Sequence, residues 1–229
     1  MTQNSINNHA GAFSCTSQTI DPGASGDSFV QFDINTTGEF RIGVDDTDDS
    51  FRISQGSALG TSDTFIMTAA GENTKPLQPA FLAYLATEDV NVTGNNTIYF
   101  LGDTDIGNTL TEVFDQNGDF TPGASGGAIF TAPITGRYAF FLGIRANDVT
   151  SSATAWTMDF STSNRRYDYV LNPGSIDSTA DLALSYSSFA DMDASDTCQI
   201  RFRVNGEGAD TVDISNSNAD TFWAGYLVC

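Results

Sequence analysis

Apolar and polar residues begin to alternate near residue 28, and this alternation predicts short antiparallel strands. Val30, Phe32 and Ile34 fall on one side of the first run, and three further runs repeat the pattern before residue 68. Turn residues, most visibly the acidic run 45–49, separate the runs. A two-residue period is typical of strands with one buried face, because successive side chains point to opposite faces. The sequence therefore predicts a small antiparallel β module at about residues 19–77.

Beyond Lys75-Pro76-Leu77-Gln78-Pro79 the predicted strands become longer and more apolar, so this proline-containing segment is the expected domain boundary. Glycine, asparagine, aspartate and serine turns separate the strands, and the sequence contains no amphipathic helical pattern. An all-β sandwich at residues 78–229 follows from this pattern. Its predicted strands lie near residues 80–86, 97–101, 109–114, 128–131, 137–146, 154–160, 167–171, 181–189, 197–204 and 221–228.

The first 18 residues are polar, and they contain too few large apolar groups to form a core of their own. We expect residues 1–18 to be an attachment segment that becomes ordered on docking to a partner. The N-terminus has neither a basic region nor an apolar region of the kind that defines a signal peptide. We therefore predict that the protein is made in a cytoplasm. No apolar stretch is long enough to cross a membrane, so no membrane insertion is expected.

Charge narrows the choice of partners. The chain carries 9 basic and 29 acidic residues, for a net charge of −20. Such a chain is repelled by nucleic acid and by anionic membrane surfaces, so we expect neither as a partner. Solubility alone explains a high negative charge, and binding of a divalent cation is the alternative, because clustered carboxylates suit Ca²⁺.

The catalytic repertoire is small, and we expect the protein not to be an enzyme. His9 is the only histidine, and it lies in the polar N-terminal segment. Residues 123–127 match the G-x-S-x-G nucleophile pattern, but no helix is predicted after them. Paired carboxylates remain available for glycoside hydrolysis. Cys198 and Cys229 are expected as buried free thiols, with a disulfide between them as the alternative.

Two segments resemble C1q-like domains. One is residues 129–141, which contain Phe130-Thr131-Ala132-Pro133 followed by Gly136-Arg137-Tyr138. The other is the closing stretch 221–229, which resembles the last strand of that family. The resemblance, which extends over about 78–229, implies a C1q/TNF-like ten-stranded jelly roll that forms a homotrimer. It also implies that Phe222, Gly225 and Tyr226 lie near the trimer axis.

Residues 38–68 resemble the trimeric β-rich shaft segments of phage tail fibres and related viral adhesins. Their most characteristic stretches are Gly38–Asp46 and Asp49–Ser54. A shaft followed by a C1q-like head implies a virion fibre or spike that contacts other virion proteins through its N-terminus. The head would bind a host cell-surface receptor, a glycan or a protein. A capsid decoration or head-fibre protein and a secreted C1q-like lectin or ligand are the alternatives.

Candidate receptor-binding residues are those of the one basic doublet and its neighbours, Arg165, Arg166, Tyr167 and Tyr169. Arginine and tyrosine are enriched in recognition surfaces and suit sugars, to which they offer hydrogen bonds and ring stacking. An ion pair between subunits is the alternative role of these arginines. Trp156 is assigned either to this region or to the core.

Two acidic clusters are candidate calcium sites. Asp191, Asp193 and Asp196 precede a late strand, and the C1q-like resemblance implies Ca²⁺ near the apex of a trimer. The run 45–49 lacks the glycine and the closing glutamate of an EF-hand loop. A solvated turn is the alternative for each cluster, so the protein is expected either to bind Ca²⁺ or to have no cofactor.

Overall fold

The computed structural model describes residues 19–23, 25–34, 38–175, 180–216 and 220–229. It divides into two compact units, Met1–Pro76 and Leu77–Cys229. The predicted attachment segment, residues 1–18, lies outside the described residues, as do His9 and Cys15. Among the described residues, no helix is long and apolar enough to cross a membrane.

The N-terminal unit is an antiparallel meander whose strands follow one another in chain order. The four strands that alternation predicts are all present, and a two-residue fifth strand completes the sheet. The strands are β1 (Ser28–Ile34), β2 (Gly38–Asp45), β3 (Ser50–Gln55), β4 (Asp63–Met67) and β5 (Asn73–Thr74). Residues 46–49 form the predicted turn between β2 and β3.

The interior of the N-terminal unit is polar. Leu59 is its one buried hydrophobic side chain among the described residues, and Phe32 is 59% exposed. Arg52 instead lies at the centre, 3.2 Å from Asp45 and 2.6 Å from Asp48, and it also pairs with Asp63. The pKa of Arg52 is raised, because its bonds and charge contacts with these carboxylates outweigh the opposing effect of burial. An ion network thus occupies the place where a larger module would have an apolar core.

The C-terminal unit contains two antiparallel sheets, and a single turn of 3₁₀ helix, Pro173–Ser175, follows β14. The first sheet has the order β10-β11-β16-β13-β14, with β8 paired to β16. Its strands are β8 (Tyr99–Phe100), β10 (Phe120–Thr121), β11 (Ile129–Thr131), β13 (Ala155–Thr162), β14 (Arg166–Leu171) and β16 (Thr197–Asn205).

The second sheet has the order β7-β17-β12-β18-β6-β9, with β15 paired to β12. Its strands are β6 (Ala80–Tyr84), β7 (Asp89–Thr93), β9 (Thr111–Asp115), β12 (Gly136–Val149), β15 (Ala180–Met192), β17 (Val212–Ile214) and β18 (Phe222–Leu227). The ten predicted strands are all found, together with three short ones, β7, β10 and β17. The all-β, antiparallel class is confirmed.

The core between the two sheets is aromatic. The ring of Phe81 stacks on Phe120 at 4.4 Å and meets Trp223 edge-on at 5.1 Å. Trp156 is fully buried and packs against Phe202, so its role is in the core. Side chains from both sheets meet in this one cluster, which gives the unit the two-layer architecture of a jelly-roll sandwich.

The structure corrects the role of Gly225. This residue faces the core, since a Cβ atom there would lie 2.6 Å from the Phe140 ring and 2.8 Å from the Phe81 ring. The opposite, outward face of the strand carries Phe222, Ala224 and Tyr226, which alternate with the core-facing residues. The glycine therefore makes room for core rings and does not contribute to a close approach of copies.

The two cysteines of the C-terminal unit are free. Cys198 is buried, as expected, and burial raises the pKa of its thiol well above the usual value. Cys229 is exposed, which differs from the expectation of two buried thiols.

Candidate functional site

The outward face of the β12–β18 sheet is apolar across several strands. One row runs from Phe141 to Ala224, Leu82 and Phe114, residues that lie directly opposite one another on neighbouring strands. The next row begins at Phe189 of β15, which is 65% exposed, and ends at Tyr226 and Ala80. We call this surface the apolar face, and it consists of Ala80, Leu82, Phe114, Ala139, Phe141, Phe189, Phe222, Ala224 and Tyr226.

Aromatic side chains on the apolar face pack against neighbouring residues of the same face. The rings of Phe141 and Tyr226 stack at 6.1 Å with an interplanar angle of 14°. The Phe222 ring covers Gly143, because a Cβ atom at that glycine would lie 2.4 Å from it. Aromatic groups that pack against their neighbours are partly preorganised, so less side-chain entropy is lost when a partner covers them.

Charged groups on this face lie at its two ends. At one end Arg145 contacts Asp181 at 3.2 Å and Asp220 at 3.1 Å, and these bonds raise its pKa. At the other end Arg137 lies opposite Asp191. An apolar centre between charged ends is the composition of a protein–protein interface.

The structure divides the predicted receptor-binding segment between two surfaces. Arg165 lies 3.1 Å from Asp191, and the Tyr167 hydroxyl donates to the same carboxylate at 2.8 Å. The pKa of Asp191 is lowered, chiefly by the Tyr167 hydroxyl and further by Arg165. Tyr169 stacks on a tyrosine of β15, whereas Arg166 points away from the core. The four residues therefore do not form one binding surface.

Arg165, Tyr167 and Asp191 lie beside a cleft of about 270 Å³. Its lining includes Arg137, Asn164, Asp191 and Asp193. Part of each sequence-predicted set thus meets at one end of the apolar face, with Arg165 and Tyr167 beside Asp191 of the second acidic cluster. The carboxylate that a calcium site would require is already bonded to an arginine and a tyrosine of the same chain.

The predicted calcium ligands do not converge within one chain. Asp196 accepts hydrogen bonds from Ser163 at 2.8 Å, from Asn164 and from the backbone of Asp193 at 2.7 Å. Among the described residues, three carboxylates come close enough to share an ion only at Asp27, Asp45 and Asp46. Because Asp45 there pairs with Arg52, that group also has a protein cation nearby.

The outward face of the other sheet carries residues that sequence reasoning passed over. Asp159 of β13 lies opposite Arg201 of β16, and Arg203 follows two residues later on the same face. On the other edge of β16, Phe100 of β8 lies opposite Arg201, and the Arg201 guanidinium is 5.8 Å from the centre of the Phe100 ring. Alternation within 197–204 contains the necessary signal, because Ile200 and Phe202 are core residues and Arg201 and Arg203 must then face outward.

No family model matches the sequence, and no curated protein matches it. Three solved structures to which it is similar are murine APRIL, the globular domain of zebrafish complement C1qA and the vertex protein P5 of PRD1. Murine APRIL is 12% identical, with 66% of this chain and 99% of that chain covered and a TM-score of 0.45. The zebrafish domain is 14% identical, with 66% of this chain and 98% of that chain covered and a TM-score of 0.41. PRD1 P5 is 12% identical, with 69% of this chain and 78% of that chain covered and a TM-score of 0.45.

Proposed function

We propose that this chain is a structural protein of a virus particle, a homotrimeric fibre or spike that adheres to the host cell surface. The observation that carries the proposal is the apolar face of the C-terminal unit. Monomeric proteins rarely expose a contiguous apolar surface of this kind, because covering it is favourable. A second and a third copy of the same chain would cover it.

The sequence resemblances support the remainder of the proposal. C1q-like segments in the head favour three copies around an axis, and the shaft-like segment at 38–68 favours a fibre of a virion. Residues 1–18 would dock on other virion proteins. In this proposal the protein is made in the host cytoplasm, is not an enzyme and needs no cofactor for adhesion.

Adhesion in this arrangement depends on multivalency. Three equivalent sites on one rigid trimer turn the second and third contacts with a cell into intramolecular events. A site of modest affinity is then sufficient for stable attachment. The outward face of the sheet that contains β13 and β16 lies on the opposite side of the sandwich from the apolar face, so association leaves it open to a receptor.

The association is tested by the mass of the full chain in solution. Light scattering should give about three times the 24.4 kDa chain mass. The same mass is expected in EDTA, because Asp191 and Asp196 already accept hydrogen bonds from side chains of their own chain. A trimer that dissociates in EDTA would place a metal between subunits, and a monomer in both buffers would contradict the association.

The adhesion is tested on particles and cells. An antibody raised against the C-terminal unit should label the virus particles that carry the chain and should block their adsorption to host cells. An antibody against an unrelated virion protein is the control. Labelling without any effect on adsorption would restrict the protein to a structural role on the particle.

A further inference from the structure

A carboxylate oxygen that has no hydrogen-bond partner among the described residues lies in the outward face of the sheet formed by β13, β14 and β16. Asp159 is only 3% exposed, and its Oδ1 atom is buried with no hydrogen-bond partner. The Nε atom of Arg201, directly opposite on the neighbouring strand, is also buried and unpaired. A buried polar group without a partner costs free energy, so two adjacent ones in a folded protein require an explanation.

Arginines surround this carboxylate without forming an ion pair with it. Arg201 and Arg203 lie on β16 and Arg166 on β14, and all three act on the charge of Asp159. Arg166 pairs with Asp168 at 2.9 Å, whereas no ion pair of Arg201 or Arg203 occurs among the described residues. Burial, as the largest effect, raises the pKa of Asp159, and Arg201 opposes the rise.

The local charge is opposite in sign to that of the whole protein. Two guanidinium groups that form no ion pair within the described part of the chain share one sheet face in a protein with a net charge of −20. Arginine presents several donors in a plane and binds a carboxylate or a sulfate in a bidentate manner. A long polyanion would be repelled by the rest of the protein, whereas a small ligand with one or two negative groups would not.

We propose that Arg201, Arg203 and Asp159 form a binding site for an acidic saccharide, a sugar that carries a carboxylate or a sulfate group. The guanidinium groups donate to the anionic group, and the Asp159 carboxylate accepts hydrogen bonds from the sugar hydroxyls. The site rests on the proposed adhesive function and names the class of its receptor. A saccharide suits this group of side chains, because its acidic group supplies acceptors for arginine and its hydroxyls supply donors for a carboxylate.

Neighbouring residues suit a sugar ring. Two apolar side chains are available for the C–H groups of a pyranose. One is Phe100, which lies beside Arg201, and the other is Val170, which is 63% exposed. Because strands carry all of these residues, their spacing is fixed before the ligand arrives, which favours binding by a rigid surface.

The proposal is tested with the full chain and two matched pairs of probes, sialyllactose against lactose and 3′-sulfolactose against lactose. Titration followed by saturation-transfer NMR should show that the acidic member of at least one pair binds and that lactose does not. The double variant R201Q/R203Q should bind at least about tenfold more weakly, since each charged hydrogen bond contributes about 1.5–3 kcal/mol. R165Q is the control, because Arg165 pairs with Asp191 elsewhere, and its binding should equal that of the native chain.

A second variant separates binding from folding. Asp159→Asn keeps the shape of the side chain, and its raised pKa indicates that the surroundings on balance disfavour the charge. The variant should therefore be at least as stable as the native chain in denaturant, while acidic saccharides bind several-fold more weakly. A variant that is less stable but binds normally would assign Asp159 to the fold and would overturn its role in the site.

Failure of the site and failure of the proposed function give different results. If the native chain and R201Q/R203Q adsorb equally well to host cells, the site assignment fails and the adhesive function stands. If the native chain does not adsorb to cells, the adhesive function fails, and saccharide binding that is lost in R201Q/R203Q would still support the site. Equal binding of lactose and its acidic counterparts would overturn the proposal.

Discussion

Replacing Arg52 with methionine should destabilise the N-terminal unit by about 3–5 kcal/mol, the usual cost of removing one partner from a buried ion pair. The side chains of Arg52, Asp45 and Asp63 are 12%, 8% and 6% exposed, so the substitution leaves two buried carboxylates without their cation. Because this unit has one buried hydrophobic side chain among its described residues, no apolar core compensates for the loss.

Hydrogen exchange measured by mass spectrometry on peptides from residues 38–67 reports the opening of this unit in the full chain. A loss of 3–5 kcal/mol corresponds to exchange that is about 10²–10⁴-fold faster. Arg41→Met is the matched control, since Arg41 has a similar exposure of 14% but, among the described residues, forms an ion pair with only one carboxylate, Glu39, in addition to a hydrogen bond to Gln31. Adding Asp45→Asn and Asp63→Asn to Arg52→Met should restore part of the protection. Equal effects of the Arg41 and Arg52 substitutions would show that the network is not the source of the stability.

Phe189→Glu should reduce the assembly from three chains to one. Phe189 lies in the same row of the apolar face as Tyr226, and burial of a phenylalanine contributes about 1.5–3 kcal/mol per copy. The glutamate would in addition place three carboxylates in an apolar interface, where an unpaired charge is costly. The measurement is light scattering at micromolar concentration.

The chain offers a matched control for this substitution. Val170 is 63% exposed and lies on the other side of the sandwich, so Val170→Glu introduces the same charge at a similarly exposed position. It should leave the mass at three chains. Trp156 and Trp223, the two tryptophans of the chain, are both buried in the C-terminal unit, so their fluorescence verifies that each variant is folded. A Phe189→Glu variant with native mass would show that copies do not meet through this face.

The sequence predicted the longer strands well, because alternation over five or more residues is a strong local signal. It missed β10 and β17, which have two and three residues and are too short to show a period. It also missed β7, where Asn91 adopts a φ of 58° and interrupts the extended backbone. These short strands depend on partners far away in the chain, such as the pairing of β7 with β17.

The candidate sites were harder to predict, because they depend on which side of a strand faces the core. Arg165 to Tyr169 are adjacent in sequence, yet Arg166 lies on the outward face while Tyr167 and Tyr169 pack against the core. The C1q-like resemblance implied that Gly225 lies near a trimer axis, although Gly225 faces the same core as Trp223 two residues earlier. The approach of Asp27 to Asp45 and Asp46 comes from the pairing of β1 with β2 and has no local sequence signal.

The position of β18 also sets the order in which the molecule can be built. This strand lies between β12 and β6, where Phe222 is opposite Tyr84 and Tyr226 is opposite Ala80. The partners are 138 and 146 residues apart (222 − 84 and 226 − 80). On a ribosome, β6 and β9 therefore wait for residues 222–227 before they can join the rest of their sheet. The apolar face is completed by the same strand, so a chain acquires the surface for association only when its own fold is closed.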